Sequence, residues 1–217
     1  MGVGLTMLRD GRADAMVSAG STGALLTGAT LIVKSIRGIR RAAMAPVIPT
    51  TTGQAVLIDC GANAECTPEY LLQFAYLGSF YAGRVLGLER PRVGLLNIGA
   101  EPSKGDTLRH ETYALLKEAG EAGRIHFIGN VEANEAMMGT ADVIVTDGFT
   151  GNVMLKTMEG VGSFAGSALK AMFKKNLLTK LAALCVMPGL NAFKAKLDPN
   201  KVGGTAFIGI SRPVIKA

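Results

Sequence analysis

Tryptophan is absent from this sequence, and aromatic residues make up only 6% of it. So little stacking surface argues against a platform for single-stranded nucleic acid. Histidine occurs only as His110 and His126, and the cysteines Cys60, Cys66 and Cys185 are odd in number and follow no metal-ligand spacing. No metal site and no cofactor are expected, and the thiols are expected to be reduced, as in a cytosolic protein. Charged residues amount to 18% against 48% hydrophobic, a balance that excludes a disordered chain. No long hydrophobic run is clean. Residues 15–33 carry no charge and approach the length of a bilayer crossing, but Ser18, Ser21, Thr22, Thr27, Thr30 and three glycines interrupt them. They divide into a short strand at 15–18, a turn at 20–23 and a buried helix from Ala24. Arg9, Asp10, Arg12 and Asp14 stand where a secretory leader would be apolar. The expectation is a soluble, cytoplasmic protein.

What the sequence has in surplus is glycine and positive charge. Its 28 glycines are nearly double the usual share of about 7% and mark tight turns and close backbone approaches. The net charge of +6 and pI near 9.3 suit nucleic acid, an anionic membrane surface or an acidic protein, and equally a soluble enzyme that meets none of them. At 217 residues the chain is long enough for one large domain with a substantial core.

One pattern recurs along it. A short aliphatic run ends in Gly, Asn or Asp, and a helical stretch follows; the runs are residues 15–20, 55–61, 93–99, 125–130 and 142–148. They do not alternate with polar residues, as befits strands covered on both faces. Helical patterns occupy 68–85, 107–119 and 153–171, the first opened by Thr67-Pro68-Glu69, a cap residue, a proline at the first position and an early acid. Strand–helix alternation predicts an α/β fold, a mainly parallel sheet with helices on both faces. Ligands bind at the carboxyl ends of such strands. Ser21, Thr22, Asp59, Asn63, Asn97, Glu101, Lys104, Asn130, Asp147, Thr150 and Asn152 all fall there, expected as polar loops at one end of one sheet.

Several motifs fail on inspection. Gly99-Ala-Glu-Pro-Ser-Lys104-Gly105 has Lys before Gly, the reverse of a nucleotide-binding phosphate loop. Gly2-Val-Gly4 has Met7 in place of a third glycine and no strand before it. Gly20-Ser-Thr-Gly23 is not a nucleophile elbow. A Ser-His-Asp triad would need His110 or His126, and His126 falls within an expected strand as a packed residue. An anion fits what is left. Gly20, Ser21, Thr22 and Gly23 join a strand end to a helix start, where free N–H groups and hydroxyls favour phosphate; an ordinary helix cap reads the same way. Gly148, Thr150, Gly151 and Asn152 repeat the arrangement after Asp147. Lys104, beside Glu101 and Asp106, is either a charge carrier of this site or a solvated surface lysine.

Residues 13–24 (ADAMVSAGSTGA), Asp59-Cys-Gly-Ala-Asn63, Leu95-Leu-Asn-Ile-Gly-Ala-Glu101 with Lys104-Gly105, Phe127-Ile-Gly-Asn130 and Val145-Thr-Asp-Gly-Phe-Thr-Gly-Asn-Val153 together resemble the PlsX phosphate acyltransferases, in order and over almost the whole chain. The resemblance implies transfer of a fatty acyl group from acyl carrier protein to inorganic phosphate, giving acyl phosphate for phospholipid synthesis. It also implies a fold like that of isocitrate and isopropylmalate dehydrogenases, with three layers, and a homodimer. Family members extend beyond both ends of this chain, so the expectation is a shortened chain or a misplaced start at Met1. The family's Gly-Asn-Thr-Gly is Gly20-Ser21-Thr22-Gly23 here, which keeps a small polar donor.

Phosphate is already a nucleophile near neutral pH, so no covalent enzyme intermediate is required. The expected catalytic group is Lys104, neutralising phosphate or the developing oxyanion, with Glu101 and Asp147 orienting it or handling protons. Gly20–Gly23, Asp59, Asn63, Asn97, Gly148, Thr150, Gly151 and Asn152 are the expected phosphate and substrate contacts. Rival readings are a short-chain, coenzyme A-dependent phosphate acyltransferase and a binding module without turnover. A dehydrogenase of the same fold lacks its metal-binding aspartates and arginine cluster here.

Residues 169–198 form a separate feature. Lys170, Lys174, Lys175, Lys180, Lys194 and Lys196 interleave with Leu169, Met172, Phe173, Leu177, Leu181 and Leu184, with a break at Pro188-Gly189. The pattern predicts a basic amphipathic helical hairpin. It either packs on the core or a dimer partner, rests on an anionic membrane through Phe173, Lys174, Lys175, Leu177, Lys180 and Leu181, or steers acidic acyl carrier protein. Nucleic acid is the weakest option.

Overall fold

A computed structural model describes residues 1–176, 178–179, 182–183, 186–189 and 204–217. The chain divides into two compact units, one of residues 1–152 with 204–217 and one of 153–203.

In the first unit the four aliphatic runs at 55–61, 93–99, 125–130 and 142–148 form a five-stranded sheet together with residues 47–49. Its strands are β3 (Val47–Pro49), β4 (Gln54–Ile58), β7 (Val143–Val145), β5 (Arg92–Leu96) and β6 (His126–Val131), in that spatial order. β4, β7, β5 and β6 run parallel, and β3 closes the edge as an antiparallel hairpin with β4. Helices α3 (Pro68–Val85) and α4 (Thr107–Glu121) and the short α5 (Ala133–Met138) lie between these strands in sequence. Leu71, Phe74 and Leu116 of the helices are fully buried against Val56, Ile58, Val93, Leu95, Val143 and Val145 of the sheet, each large side chain contributing roughly 1.5–3 kcal/mol of transfer free energy. At the amino ends of β5 and β7, Asp142 takes three hydrogen bonds from Arg92, whose guanidinium also reaches the Gly139 carbonyl. A cavity of about 510 Å³ opens there, lined by Thr50, Leu86, Arg92 and Asp142 among others, at the opposite end of the strands from the polar loops.

A smaller sheet is made of β1 (Met16–Ser18), β9 (Val214–Lys216), β8 (Thr205–Ile208) and β2 (Ala43–Met44), in the spatial order β1-β9-β8-β2. Leu5 and Leu8 of α1 (Gly2–Arg9), Leu25 of α2 (Thr22–Gly28) and Ala29 of the π-helical turn that continues it (Ala29–Val33) pack with Phe207 and Val214 into a second core.

All five expected strands are present, but not in one sheet. β1 pairs with β9 in the smaller sheet, so the Gly20–Gly23 loop and the other polar loops leave different sheets. β1 is only three residues long and Val17 is 60% exposed; it is not a strand covered on both faces. α3 has the expected bounds. α6 (Gly148–Lys174) begins five residues before the expected 153, because the Asp147 carboxylate accepts the Thr150 N–H and caps the helix there.

Most of α6 belongs to the second unit. Val161, Phe164 and Met172 are exposed on it, Phe173 is half-buried, and Lys174 and Lys175 are exposed. Leu177, Lys180, Leu181 and Leu184 of the expected hairpin, and residues 190–198, lie outside the described residues. Among the described residues no helix is long and apolar enough to cross a membrane.

α3 reaches the sheet through Gly78, where a Cβ would stand 2.6 Å from Val143 Cγ1 and 3.0 Å from Ile58 Cγ2. Gly78→Val is expected to lower stability by about 1–3 kcal/mol through overpacking, read as a lower urea midpoint at unchanged slope.

Candidate functional site

The loop after β4 is built around a buried carboxylate. Asp59 has no exposed surface. Its Oδ1 accepts the N–H groups of Met44 (2.8 Å), Cys60 (2.6 Å) and Ala62 (3.3 Å), and its Oδ2 accepts the Asn63 N–H (2.6 Å) and Nδ2 (3.0 Å). Asn63 Nδ2 also donates to the Ala42 carbonyl at 2.8 Å. Burial pushes the Asp59 carboxyl above its ordinary pKa, against the pull of the Asn63 amide and the backbone donors. With both oxygens engaged, Asp59 shapes the loop from within and ties it to β2.

The loop after β7 lies against it. Gly148 donates to the Asn63 carbonyl at 2.8 Å. A Cβ at Gly148 would fall 2.5 Å from that oxygen, and one at Gly151 would fall 2.0 Å from the Asp59 carbonyl. Glycine is required at both positions by contact distance. Gly61, at φ +97°, faces the Asn152 side chain, whose Oδ1 would lie 3.6 Å from a Cβ there.

Asp147 joins this pair of loops to a third. Its Oδ1 accepts the Thr150 N–H at 2.8 Å, and its Oδ2 accepts the Thr150 hydroxyl at 2.8 Å and the Arg109 guanidinium. Arg109 Nη2 also donates to Thr150 Oγ1 at 3.1 Å. Arg109 sits in the first turn of α4, which is capped in the same way: Asp106 accepts the Arg109 N–H at 2.9 Å and pairs with its guanidinium at 3.1 Å. The side chains of Arg109 and Asp147 are only 13% and 7% exposed. Burial opposes the charge on Asp147, but the Thr150 N–H and hydroxyl and the Arg109 cation together outweigh it and hold the carboxyl below its ordinary value. Cys66, near the same groups, is pushed up to about 12, chiefly by burial, so its thiol is protonated and a poor nucleophile at neutral pH.

Glu101 and Lys104 occupy the loop between β5 and α4. Asn97 Nδ2 donates to the Lys104 carbonyl (3.0 Å), Asn130 Nδ2 to the Glu101 carbonyl (2.8 Å), and the Lys104 N–H to that same Glu101 carbonyl (3.1 Å). Asn97 is thus a backbone latch, and its Oδ1 accepts the Ile98 N–H at 2.8 Å. Asn130 Oδ1 is buried with no partner among the described residues. The Glu101 and Lys104 side chains are exposed and flank Gly99, where a Cβ would lie 2.8 Å from Lys104 Cγ and 3.0 Å from Glu101 Oε2. Neither forms an ion pair among the described residues.

Asp59, Asn63, Asp147, Gly148, Thr150, Gly151 and Asn152 are therefore brought together. Asn97, Glu101 and Lys104 form a neighbouring group, joined to the first by the α4 start and Arg109. Gly20, Ser21, Thr22 and Gly23 open α2 in the smaller sheet, with no hydrogen bond to either group among the described residues; the Ser21 side chain makes no cap hydrogen bond. Sequence reasoning missed Arg109. The available signal was its place three residues after Asp106, matching Thr150 three residues after Asp147.

Arg109→Met leaves a buried carboxylate without its cation and is expected to cost about 3 kcal/mol at pH 7. Because the folded pKa of Asp147 is depressed, the pair's contribution is present above the unfolded value of about 3.9 and is lost as pH falls through the folded one. The deficit between variant and wild type should therefore shrink in denaturant titrations below about pH 4.

A family model described as "Fatty acid synthesis protein" matches residues 1–217. The chain is similar to proteins named phosphate acyltransferase from Alkaliphilus oremlandii (51% identical over 217 residues, 100% of this chain and 64% of the relative) and Bacillus licheniformis (48% over 209 residues, 96% and 62%). It thus spans a little under two thirds of the length of these relatives. Among solved structures it is similar to EutD phosphotransacetylase from Staphylococcus aureus, with TM-score 0.65 and 20% identity over 100% of this chain and 61% of the other. It is also similar to a phosphotransacetylase from Streptococcus pyogenes, with TM-score 0.60 and 20% identity over 75% and 55%. A third, 4-hydroxythreonine-4-phosphate dehydrogenase from Klebsiella pneumoniae, aligns at TM-score 0.52 and 12% identity over 100% and 59%. These three likenesses show the shared α/β fold. Matched along its whole length, the chain belongs to the fatty acid synthesis protein family, that of the PlsX phosphate acyltransferases it resembles.

Proposed function

We propose that the chain carries out phosphate acyltransfer, moving a fatty acyl group from acyl carrier protein to inorganic phosphate. The observation that carries this reading is the meeting of two helix starts, those of α4 and α6, at the carboxyl ends of parallel strands, with the exposed Lys104 in the loop that enters α4. The relatives named phosphate acyltransferase point the same way. A phosphate oxygen attacks the thioester carbonyl, the carbonyl electrons move onto oxygen, and the tetrahedral intermediate collapses with loss of the carrier thiolate, which takes up a proton. Phosphate needs no activation, and Cys66, the cysteine beside these loops, is pushed up to about 12 and is no activated thiol. The protein's task is to hold two anionic partners together and stabilise the oxyanion with fixed dipoles and charge.

In this reading Lys104 is the catalytic cation, and Glu101 orients it or carries the proton. Gly148, Thr150, Gly151 and Asn152 face phosphate, with Gly20, Ser21, Thr22 and Gly23 contributing from the smaller sheet. Asn97 and Asn63 set the backbone of their loops, and Asp59 anchors one of them. Asp147, saturated by Arg109 and Thr150, orients rather than exchanges protons. The product is a greasy acyl phosphate, which suits a cytoplasmic protein resting on the membrane through the basic segment 169–198. A homodimer and a three-layer fold of the isocitrate dehydrogenase kind complete the proposal.

Thiol release from palmitoyl-acyl carrier protein is expected to require inorganic phosphate. Lys104→Ala should lower turnover by about a hundredfold or more with an unchanged melting temperature, since the side chain is exposed. Release independent of phosphate would contradict the reaction class, and normal turnover in Lys104→Ala would remove that residue from the mechanism.

A further inference from the structure

Residues 34–41 carry Lys34, Arg37, Arg40 and Arg41, all exposed. None of the four forms an ion pair among the described residues. Arg40 is felt by Glu69, but that carboxyl is held low chiefly by the Thr67 hydroxyl and its own backbone, with Arg40 a lesser contributor. Arg41 lies over the Tyr70 ring, 5.7 Å from its centre. The segment is therefore a concentration of uncompensated positive charge.

Its backbone is held from both sides. The Ile36 N–H donates to the Gly209 carbonyl (2.8 Å), and the Ser211 N–H donates to the Lys34 carbonyl (2.9 Å). On the other side, Gln73 of α3 grips the loop twice, donating to the Gly38 carbonyl at 3.1 Å and accepting the Arg40 N–H at 3.0 Å. A basic loop fixed in this way presents its charges with little further ordering to be done on association. It also runs straight into the site: Ala42 accepts from Asn63, and the Met44 N–H is bound by Asp59.

We infer that residues 34–41 are the docking surface for an acidic protein partner, which on the reaction proposed above is the acyl-bearing carrier. Charge complementarity and position beside the Asp59 loop favour a protein that must deliver a tethered group there. A lipid surface is better met by an amphipathic helix with a continuous apolar band, whereas this loop exposes Ile36 among its cations. Nucleic acid would call for stacking side chains, which the segment lacks.

The test is the double charge reversal Arg37→Glu with Arg40→Glu, whose side chains take no part in the loop's hydrogen bonds. Affinity for labelled acyl carrier protein and for phosphatidylglycerol vesicles is measured alongside phosphate-dependent turnover of an uncharged acyl-N-acetylcysteamine thioester. At low salt the variant should bind the carrier about tenfold or more weakly, and raising salt should bring the wild type toward it. Melting temperature and turnover of the small thioester should be unchanged. No carrier binding by the wild type, unchanged affinity in the variant, or a loss confined to the vesicles would overturn the inference. Carrier binding that is lost in the variant, in a wild type without phosphate-dependent turnover, would sustain the docking surface and sink the acyltransferase reading instead.

Discussion

The Asp147 carboxylate ties the starts of two helices to each other. It caps α6 through the Thr150 N–H and takes the guanidinium that leaves the first turn of α4, which Asp106 caps by the same rule. Two helix N-termini concentrate positive dipole at one place, and their relative placement would otherwise depend on loops alone. The ion pair is largely desolvated, so it holds only as long as both partners and the Thr150 hydroxyl are present. The Glu101–Lys104 loop precedes α4 and the glycine-rich turn opens α6. Each side of the candidate site therefore inherits its position from this contact.

A second carboxylate acts on the backbone. Asp59 gathers donors from its own loop and from Met44, linking the five-stranded sheet to the strand that enters the smaller one. Gly148 and Gly151 let the next loop press on it. The two buried acids thus have structural work, whereas Glu101 and Lys104 stay exposed, without an ion pair among the described residues, above a loop whose main chain is latched by Asn97 and Asn130. A hydrogen-bonded main chain beneath exposed charge is an arrangement suited to binding anions by fixed dipoles and neutralising them with a solvent-facing cation.

Much of this was legible in the sequence because it is local. The aliphatic runs at 55–61, 93–99, 125–130 and 142–148 announce buried parallel strands, and Thr67-Pro68-Glu69 announces the start of α3. The membership of β1 was not legible: its partner is β9, about two hundred residues away in sequence, and three residues carry too little pattern to show which sheet they join. The role of Asp59 was hidden for a similar reason, since the Met44 N–H that it binds belongs to another strand. Arg109 carries no loop signal in the sequence, because this cation projects from the first turn of a helix and its partner Asp147 lies 38 residues away. The early start of α6 was readable from Asp147 and Thr150 as a cap pair, yet glycines at 148 and 151 suggested a loop.

The dependence of the site on the Asp147–Arg109 contact is tested most directly by a double-mutant cycle on phosphate-dependent turnover, using Arg109→Met, Asp147→Asn and the two combined. If the pair acts as one unit that aligns the two helix starts, the combined variant should lose no more turnover than the worse single variant. Losses that multiply would mean the two residues act independently, contradicting the account.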